Sequence, residues 1–189
     1  MGEMNHSETI IEIKRKLRLA MNGEVSRSMS EKGVHYQMNW GLTIPLLKEI
    51  AKCYTEDNGL ALVLWEQNVR ECRILAAMIQ PSSSFSPIMA DSWVKSLEYQ
   101  DLAEICSLYL FRRLPFSSWI SFKWIADDDE MVQYCGYLTL AHLFRDKLPI
   151  AKDYLDEFKD HAATAIAGKS FLPKQGAGIA LDSYERNYG

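Results

Sequence analysis

Apolar residues recur along this chain every three or four positions rather than at every second position. That spacing places them on one face of an α-helix, whereas alternation would indicate a half-buried strand. About ten helical segments follow from it, and we see no segment with the pattern of a strand. We therefore predict an all-α protein. The predicted helices cover residues 10–20, 25–30, 44–57, 60–67, 69–80, 87–97, 101–114, 119–126, 131–144 and 150–167.

Turn-forming residues indicate where these helices begin and end. Asn22-Gly23 and Asn58-Gly59 are predicted to stop two helices, because both residue types tolerate the left-handed backbone that follows a helix. Thr43 is predicted to cap the next helix, and Pro45 suits its first turn, where no backbone N–H is needed. Loops are predicted for residues 33–42, 81–84 and 168–178, the last as a loosely structured end of the chain.

A short apolar pattern occurs twice, which indicates an internal repeat. Each copy follows a helix that contains tryptophan, so the order of helices repeats as well. Stacked helix pairs need recurring core positions of this kind, because each pair buries its apolar face against its neighbours. We predict one domain over residues 1–189, built as a superhelical stack of antiparallel helix pairs (an α-α solenoid). The pattern Val69, Cys72, Leu75 and Ala76-Ala77 recurs as Val132, Cys135, Leu138 and Leu140-Ala141, with an offset of 63 residues for the first three positions and 64 for the last two.

The composition is that of an ordinary globular protein, with 48% hydrophobic and 24% charged residues. No apolar run approaches the roughly 18 residues that a membrane helix needs. Residues 1–30 lack the apolar core of a signal peptide, so we expect a cytoplasmic protein without a membrane partner.

Charge is distributed unevenly along the chain. The net charge is −4 overall, +2 over residues 1–52 and −6 over residues 53–189. DNA-binding proteins usually carry a basic excess, because phosphate contacts supply most of their nonspecific affinity. Strong DNA binding therefore requires that the basic groups gather on one face.

The cysteines and histidines are scattered, and none forms a metal-binding motif. The four cysteines lie in apolar helical contexts, where buried free thiols are the expected state. The patch Gly176-Ala177-Gly178 lacks the preceding strand of a phosphate-binding loop. We predict neither a metal nor another cofactor.

Two motifs in the first half of the chain belong together. A glycine turn leads into a proline-started basic helix, and a tryptophan helix is then followed by a Glu-x-Arg-x-x-Ala helix. This order of motifs resembles the DNA alkylation repair family, the glycosylases built from HEAT-like helical repeats. The matching positions are Gly41, Pro45, Lys48, Ile50, Ala51 and Lys52, then Trp65, Glu71, Arg73 and Ala76.

The resemblance implies a HEAT-like stack whose concave face holds duplex DNA. Active members of the family excise N3- or N7-alkylated purines, which are cationic and therefore good leaving groups. One carboxylate, two aromatic walls and an arginine on phosphate suffice for that reaction, because the developing positive charge on the sugar needs only electrostatic stabilisation. No metal is implied.

The three site motifs of the family are altered in this chain. Where the family has tryptophan and aspartate, this chain has Gln100 and Glu104. The stretch Met131-Val132-Gln133-Tyr134 lacks the paired arginines of the second motif. The third motif aligns with Ala177-Gly178-Ile179-Ala180-Leu181, which has neither tryptophan nor arginine.

Candidate site residues follow from these alignments and from their neighbours. Glu104 and Asp101 are the catalytic candidates, and the alternative is that both are ordinary carboxylates favoured at a helix N-terminus. Arg73 beside Glu71 is interpreted as a structural ion pair between repeats. The DNA-binding candidates are Tyr36, Trp40, Thr43, Lys48, Arg112 and Arg113, with core packing or solvated helix ends as the alternatives.

Two functions remain open from the sequence. The first is a DNA-binding repair protein of the alkylation family that is either weakly active through Glu104 or active through a changed site. The second is a catalytically silent HEAT-like scaffold that binds a protein or peptide partner, which the negative charge of residues 53–189 favours.

Overall fold

A computed structural model describes residues 6–54 and 56–188. Over that part of the chain the secondary structure is helical, with no strand, as predicted. None of the helices in it is long and apolar enough to cross a membrane. The α-helices are α1 His6–Leu19, α2 Gly23–Glu31, α3 Ile44–Ala51, α4 Asn58–Trp65, α5 Arg70–Ile79, α6 Pro87–Lys95, α7 Gln100–Tyr109, α8 Ser117–Ile125, α9 Glu130–Arg145, α10 Lys152–Ala167 and α11 Phe171–Tyr188.

The chain divides into two compact units, one ending at Ser84 and the other beginning at Phe85. The boundary follows the loop predicted at residues 81–84. That one domain spans the whole chain remains a prediction.

The first unit contains α1 to α5, with α4 packed against α5. Both helices bury apolar residues at helical spacing, which is what holds an amphipathic helix to its neighbour. Helix α1 packs on α4, and α3 packs on α5. The long connection between α2 and α3 lies beside this core. The buried side chains include Ile13, Leu17, Leu47, Leu60, Leu64, Cys72, Ile74 and Leu75.

The second unit contains α6 to α11 and is built around α9. Helices α6, α7, α8 and α11 all pack against α9, and most of its side chains are buried from Val132 to Phe144. A helix that is apolar on nearly every side must be surrounded in this way. Asp129 caps α9, because its carboxylate accepts hydrogen bonds from the N–H groups of Met131 and Val132.

Predicted helix boundaries are wrong at Asn22-Gly23, at Asn58-Gly59 and after Tyr109, where α7 ends five residues before the predicted end at residue 114. Asn22 begins α2 rather than ending α1, since its side chain accepts hydrogen bonds from the N–H groups of Glu24 and Val25. Asn58 and Gly59 are the first residues of α4, which Asp57 caps through Leu60 N–H, and α3 already ends at Ala51. Asparagine favours both ends of a helix, so the sequence alone does not distinguish them.

The prediction of a loosely structured segment at residues 168–178 is also wrong from Phe171 onward. Helix α11 runs through this segment without interruption. Pro173 is tolerated because it lies in the first turn, where backbone N–H groups have no partner within the helix. Gly176, Ala177 and Ala180 are buried and allow α11 to lie close to α9. Packing therefore overrides the low helix propensity of glycine.

Candidate nucleic-acid interface

Residues of two altered site motifs meet in the second unit, together with Gln175, which lies just before the third motif. Tyr134 of α9 donates a hydrogen bond from its hydroxyl to Oε1 of Glu104 on α7, at 3.1 Å. Gln100, one turn before Glu104, bonds to the same phenol and donates from Nε2 to Oε1 of Gln175 on α11, at 2.7 Å. We call these four residues the polar cluster.

The polar cluster has one buried and one exposed end. The ring of Tyr134 is fully buried, whereas the side chain of Glu104 is exposed. Burial raises the pKa of Tyr134 far above its ordinary value, and the negative charge of Glu104 and the hydrogen bond to it raise this pKa further. The phenol therefore stays protonated at any physiological pH and remains a donor to the carboxylate.

This arrangement offers little of the chemistry that base excision needs. An exposed carboxylate acts through water, where its interaction with a developing cation is strongly screened. The position of the first aromatic wall carries Gln100, whose amide is held by Gln175. Asp101 is half-buried in the first turn of α7, where the helix dipole favours a negative charge.

The predicted arginine pair lies in a short 3-10 turn after α7. Arg112 forms an ion pair with Asp146, with 3.2 Å between Nη1 and Oδ2. Asp146 follows the last residue of α9, so the pair joins the ends of two helices. Arg113 is exposed. A phosphate would have to compete with Asp146 for Arg112.

In the first unit, a buried carboxylate holds the loop that contains Tyr36 and Trp40. The side chain of Glu71 has no exposed surface and accepts hydrogen bonds from Trp40 N–H at 3.1 Å and Leu42 N–H at 3.3 Å. Arg70 lies 3.3 Å from this carboxylate and donates to the carbonyl of Leu42. Two loop amides and a guanidinium together satisfy the buried charge.

The predicted pairing of Glu71 with Arg73 is wrong. Arg73 donates instead to the carbonyl of Trp65 and to Asn68, and its guanidinium lies over the Trp65 ring. Residues two apart on a helix do not share a face, so Glu71 and Arg73 cannot reach one another easily.

Gly41 is the residue that lets this loop approach α2. Its φ is +72°, and an added Cβ would lie 2.2 Å from Asn22 O and 2.8 Å from Ser26 N. Any other residue would both strain the backbone and collide with the start of α2. Thr43 follows at the N-cap position of α3, exposed and without a capping hydrogen bond from its side chain.

Several exposed cations of the first unit have no carboxylate partner among the described residues. Lys16 and Lys52 are neutralised by Glu12 and Glu49. Other basic side chains are exposed and form no ion pair with a carboxylate in the part of the chain that the structure describes. In the first unit these are Arg15, Arg18, Arg27, Lys32 and the predicted DNA-binding residue Lys48.

Among residues 6–54 and 56–188, no group of three or more His, Cys, Asp or Glu side chains could hold a metal ion. Three cysteines are buried free thiols, as expected. Cys53 is exposed, contrary to that expectation, because α3 ends before it.

A family model described as the DNA alkylation repair enzyme matches residues 13–188. The chain belongs to this family. No curated protein matches this member of the alkylation repair family. One solved structure is similar, with a TM-score of 0.84 and 16% identity over 94% of this chain and 76% of the other. It comes from a family of proteins described as related to the HEAT-like repeat DNA glycosylases with affinity for branched DNA structures. The predicted family and HEAT-like repeat fold are confirmed.

Sequence reasoning missed two partners in these sites. Gln175 was not recognised because α11 was predicted as a loose segment, although small residues at 176, 177 and 180 share the four-residue spacing of a close helix contact. Arg70 was missed because it is adjacent to Glu71 in sequence, and adjacent helical residues usually point apart.

Proposed function

We propose that this member of the alkylation repair family binds DNA, including branched DNA, and excises alkylated bases weakly or not at all. The observation that carries the binding proposal is the set of exposed cations of the first unit that have no carboxylate partner among the described residues. These are Arg15, Arg18, Arg27, Lys32 and Lys48. Such side chains release counterions when they meet phosphates, which is the main source of nonspecific DNA affinity.

We include branched DNA because the similar solved structure belongs to a family with affinity for branched DNA structures. Branch points present phosphates on several helices and unpaired or strained bases. An all-helical protein that reads backbone and shape can bind them without a base-specific motif.

The polar cluster argues against efficient excision. Glu104 is the carboxylate at the family's catalytic position, yet it is exposed and bonded to Tyr134. A hydrogen bond donated to a carboxylate disperses the charge that would stabilise a cationic sugar. Gln100 supplies no π-face to favour a cationic base.

A base-release assay tests the catalytic half of this proposal. Duplex DNA carrying 7-methylguanine is incubated with the protein and with Glu104→Gln. We expect release at the spontaneous rate from both. Release clearly above that rate by the parent and not by Glu104→Gln would show a working glycosylase.

A titration tests the binding half. Fluorescent duplex DNA and a four-way junction of the same length are titrated at two salt concentrations. We expect saturable binding that weakens steeply with salt, and tighter binding of the junction. Absence of binding at low salt to either DNA would overturn the proposal.

A second candidate function is a scaffold for a protein or peptide. The second unit has 15 acidic and 11 basic residues, and it exposes large apolar side chains at Ile88, Trp119 and Phe171. Exposed aromatics are enriched in protein interfaces, and negative charge repels DNA. This function becomes the better one if the titration shows no DNA binding.

A further inference from the structure

A polar pocket of about 340 Å³ lies in the first unit, between α2 and the loop that follows it. It is separate from the polar cluster, all of whose residues belong to the second unit. Its volume lies within the range of small-molecule sites, roughly 300–1,000 Å³. The lining residues are Ser26, Ser30, Val34, His35, Tyr36, Gln37, Met38 and Asn39.

The chemistry of the lining selects a class of ligand. It contains hydroxyls, amides, an imidazole and a phenol, and no lysine, arginine, aspartate or glutamate. A phosphate site would need cationic donors, and a cation site would need carboxylates. The lining instead suits a neutral group that both donates and accepts hydrogen bonds.

The pocket wall is held in place by bonds that do not involve a ligand. Ser26 donates to the carbonyl of Asn39, and the side chain of Asn39 accepts from Gly41 N–H and donates to Met29 Sδ. Backbone bonds join Val34 N to Met29 O and Arg70 N to Met38 O. A loop fixed this thoroughly pays little conformational entropy when a ligand binds.

Two side chains at the pocket remain available. The amide of Gln37 is exposed and bonds to no other residue in the described part of the chain. Ser30 shares a hydrogen bond of 3.1 Å with Nδ1 of His35, which leaves the other imidazole nitrogen at the surface. A glutamine amide can pair in bidentate fashion with a base edge, and an unstacked base exposes such edges.

We infer that this pocket receives the base of an unpaired nucleotide, such as a branch point supplies. The inference rests on the proposed DNA binding for its biological setting. Binding of a base in the pocket depends only on the lining residues, which suit a neutral base with hydrogen-bond donors and acceptors. Arg27 and Lys32, which lie one and two residues along the chain from Ser26 and Ser30, are exposed cations for the flanking phosphates.

Nucleoside titration of the full-length, isotope-labelled chain tests the pocket directly. Backbone amide shifts are followed while adenosine, guanosine, cytidine, thymidine or inorganic phosphate is added. We expect saturable shifts confined to residues 26–39 with at least one nucleoside, and none with phosphate. Shifts with phosphate alone, or no shifts at these residues, would overturn the inference.

Matched variants connect the pocket to DNA. The double variant Ser30→Ala with Gln37→Ala should weaken nucleoside binding about tenfold, because it removes two hydrogen-bonding groups from the lining. Ser28→Ala is the control, because Ser28 lies on the same helix but does not line the pocket. Circular dichroism spectra confirm that each variant folds.

A DNA flap with 2-aminopurine at its unpaired position separates this inference from the proposed function. The parent and Ser28→Ala should change the fluorescence of the probe, and the double variant should not, while all three bind the flap through phosphates. Binding of the flap with unchanged fluorescence in the parent would refute the pocket and leave DNA binding intact. Nucleoside shifts without any flap binding would leave the pocket and refute the proposed function.

Discussion

At the scale of single residues, Glu71 connects helix α5 to the loop before α3. It is a fully buried carboxylate on α5, yet two of its hydrogen bonds go to the loop before α3. The position of this loop is therefore determined from a helix nearly thirty residues away in sequence. Arg70 offsets the buried charge and also bonds to Leu42.

Replacement of Glu71 tests this role. Glu71→Gln leaves Arg70 buried without its counter-charge and removes one of the two carboxylate acceptors. We expect the free energy of unfolding to fall by about 3 kcal/mol, measured by urea denaturation. Glu49→Gln is the matched control, since Glu49 forms an exposed pair with Lys52 and its loss should leave stability unchanged. Equal effects of the two variants would contradict the role of Glu71.

His142 makes stability depend on pH. Burial, together with Arg145 and Arg112, lowers the pKa of His142 to about 4, while Asp146 opposes them. In the unfolded chain the pKa of this histidine is about 6.5. Between about pH 6.5 and 4, His142 is therefore protonated in the unfolded chain and neutral in the folded protein. Stability falls through this window as the pH is lowered, by at most about 1.4 kcal/mol per pH unit.

A neutral replacement should remove this dependence. The melting temperature of His142→Gln is expected to fall less than that of the parent between pH 6.5 and 4. Calorimetry at several pH values measures the difference. A parallel decline in both proteins would assign the acid sensitivity to other groups.

At the scale of elements, the contact between α9 and α11 brings Gln175 into the polar cluster. Gly176 is buried at this contact, and an added Cβ would lie 3.0 Å from Tyr137 Cβ and 3.1 Å from Tyr134 Cδ2. Gln175 is its neighbour in sequence and reaches Gln100. A larger residue at 176 would therefore crowd both tyrosines at the contact that positions Gln175.

Two glycines of α11 make a matched pair of variants. Gly178 has no atom within 4 Å of an added Cβ, so Gly178→Ala should stabilise the helix by up to about 1 kcal/mol. Gly176→Ala gains the same propensity but overpacks against two tyrosines. We expect Gly176→Ala to be less stable than Gly178→Ala by about 2 kcal/mol in urea denaturation. Equal stabilities would mean that the contact adapts freely.

The helices themselves are largely predictable, because periodicity reports which face is buried. Helices α5 and α9 have the clearest patterns and were predicted within one or two residues. Boundaries at Asn22 and Asn58 were not predictable, since asparagine serves at either end. Helix α11 was missed because its small residues reveal their role only when α9 is beside them.

At the scale of the whole molecule, the net charge changes sign along the chain, from +2 over residues 1–52 to −6 over residues 53–189. Basic side chains also differ in whether a carboxylate already neutralises them. The net charge of −4 suggests a poor DNA binder. Net charge alone does not predict DNA binding, because ion pairs neutralise some cations and leave others free. Arg112 forms an ion pair with Asp146, whereas Lys48 has no carboxylate partner among the described residues.

A comparison of these two cations tests the proposed interface. Lys48→Ala should weaken binding to every DNA sequence and lower the slope of log K against log salt by about one. Arg112→Ala should change that slope less, since its charge is already compensated. Fluorescence titrations at several salt concentrations measure both slopes. A larger effect from Arg112→Ala would place the DNA contacts in the second unit.

The positions of the site residues were predictable from the family resemblance. The hydrogen bonds between these residues were not predictable, because this chain has other side chains at those positions than the family has. Resemblance selected Gln100, Glu104 and the stretch that ends at Tyr134, and these residues do meet. The bond from Tyr134 to Glu104 follows from the distance between α7 and α9, which no spacing within one helix reveals. Whether the predicted residues contact DNA stays a prediction.

The hydrogen bonds that Glu71 accepts from Trp40 N–H and Leu42 N–H should slow the hydrogen exchange of these two amides. These two N–H groups lie outside any helix, yet both are donated to a carboxylate that water does not reach. Loop amides usually exchange at rates set by small local openings, whereas these should exchange only when α5 itself releases them. The exchange rates of these two loop amides would then measure how often α5 opens and exposes the buried carboxylate of Glu71.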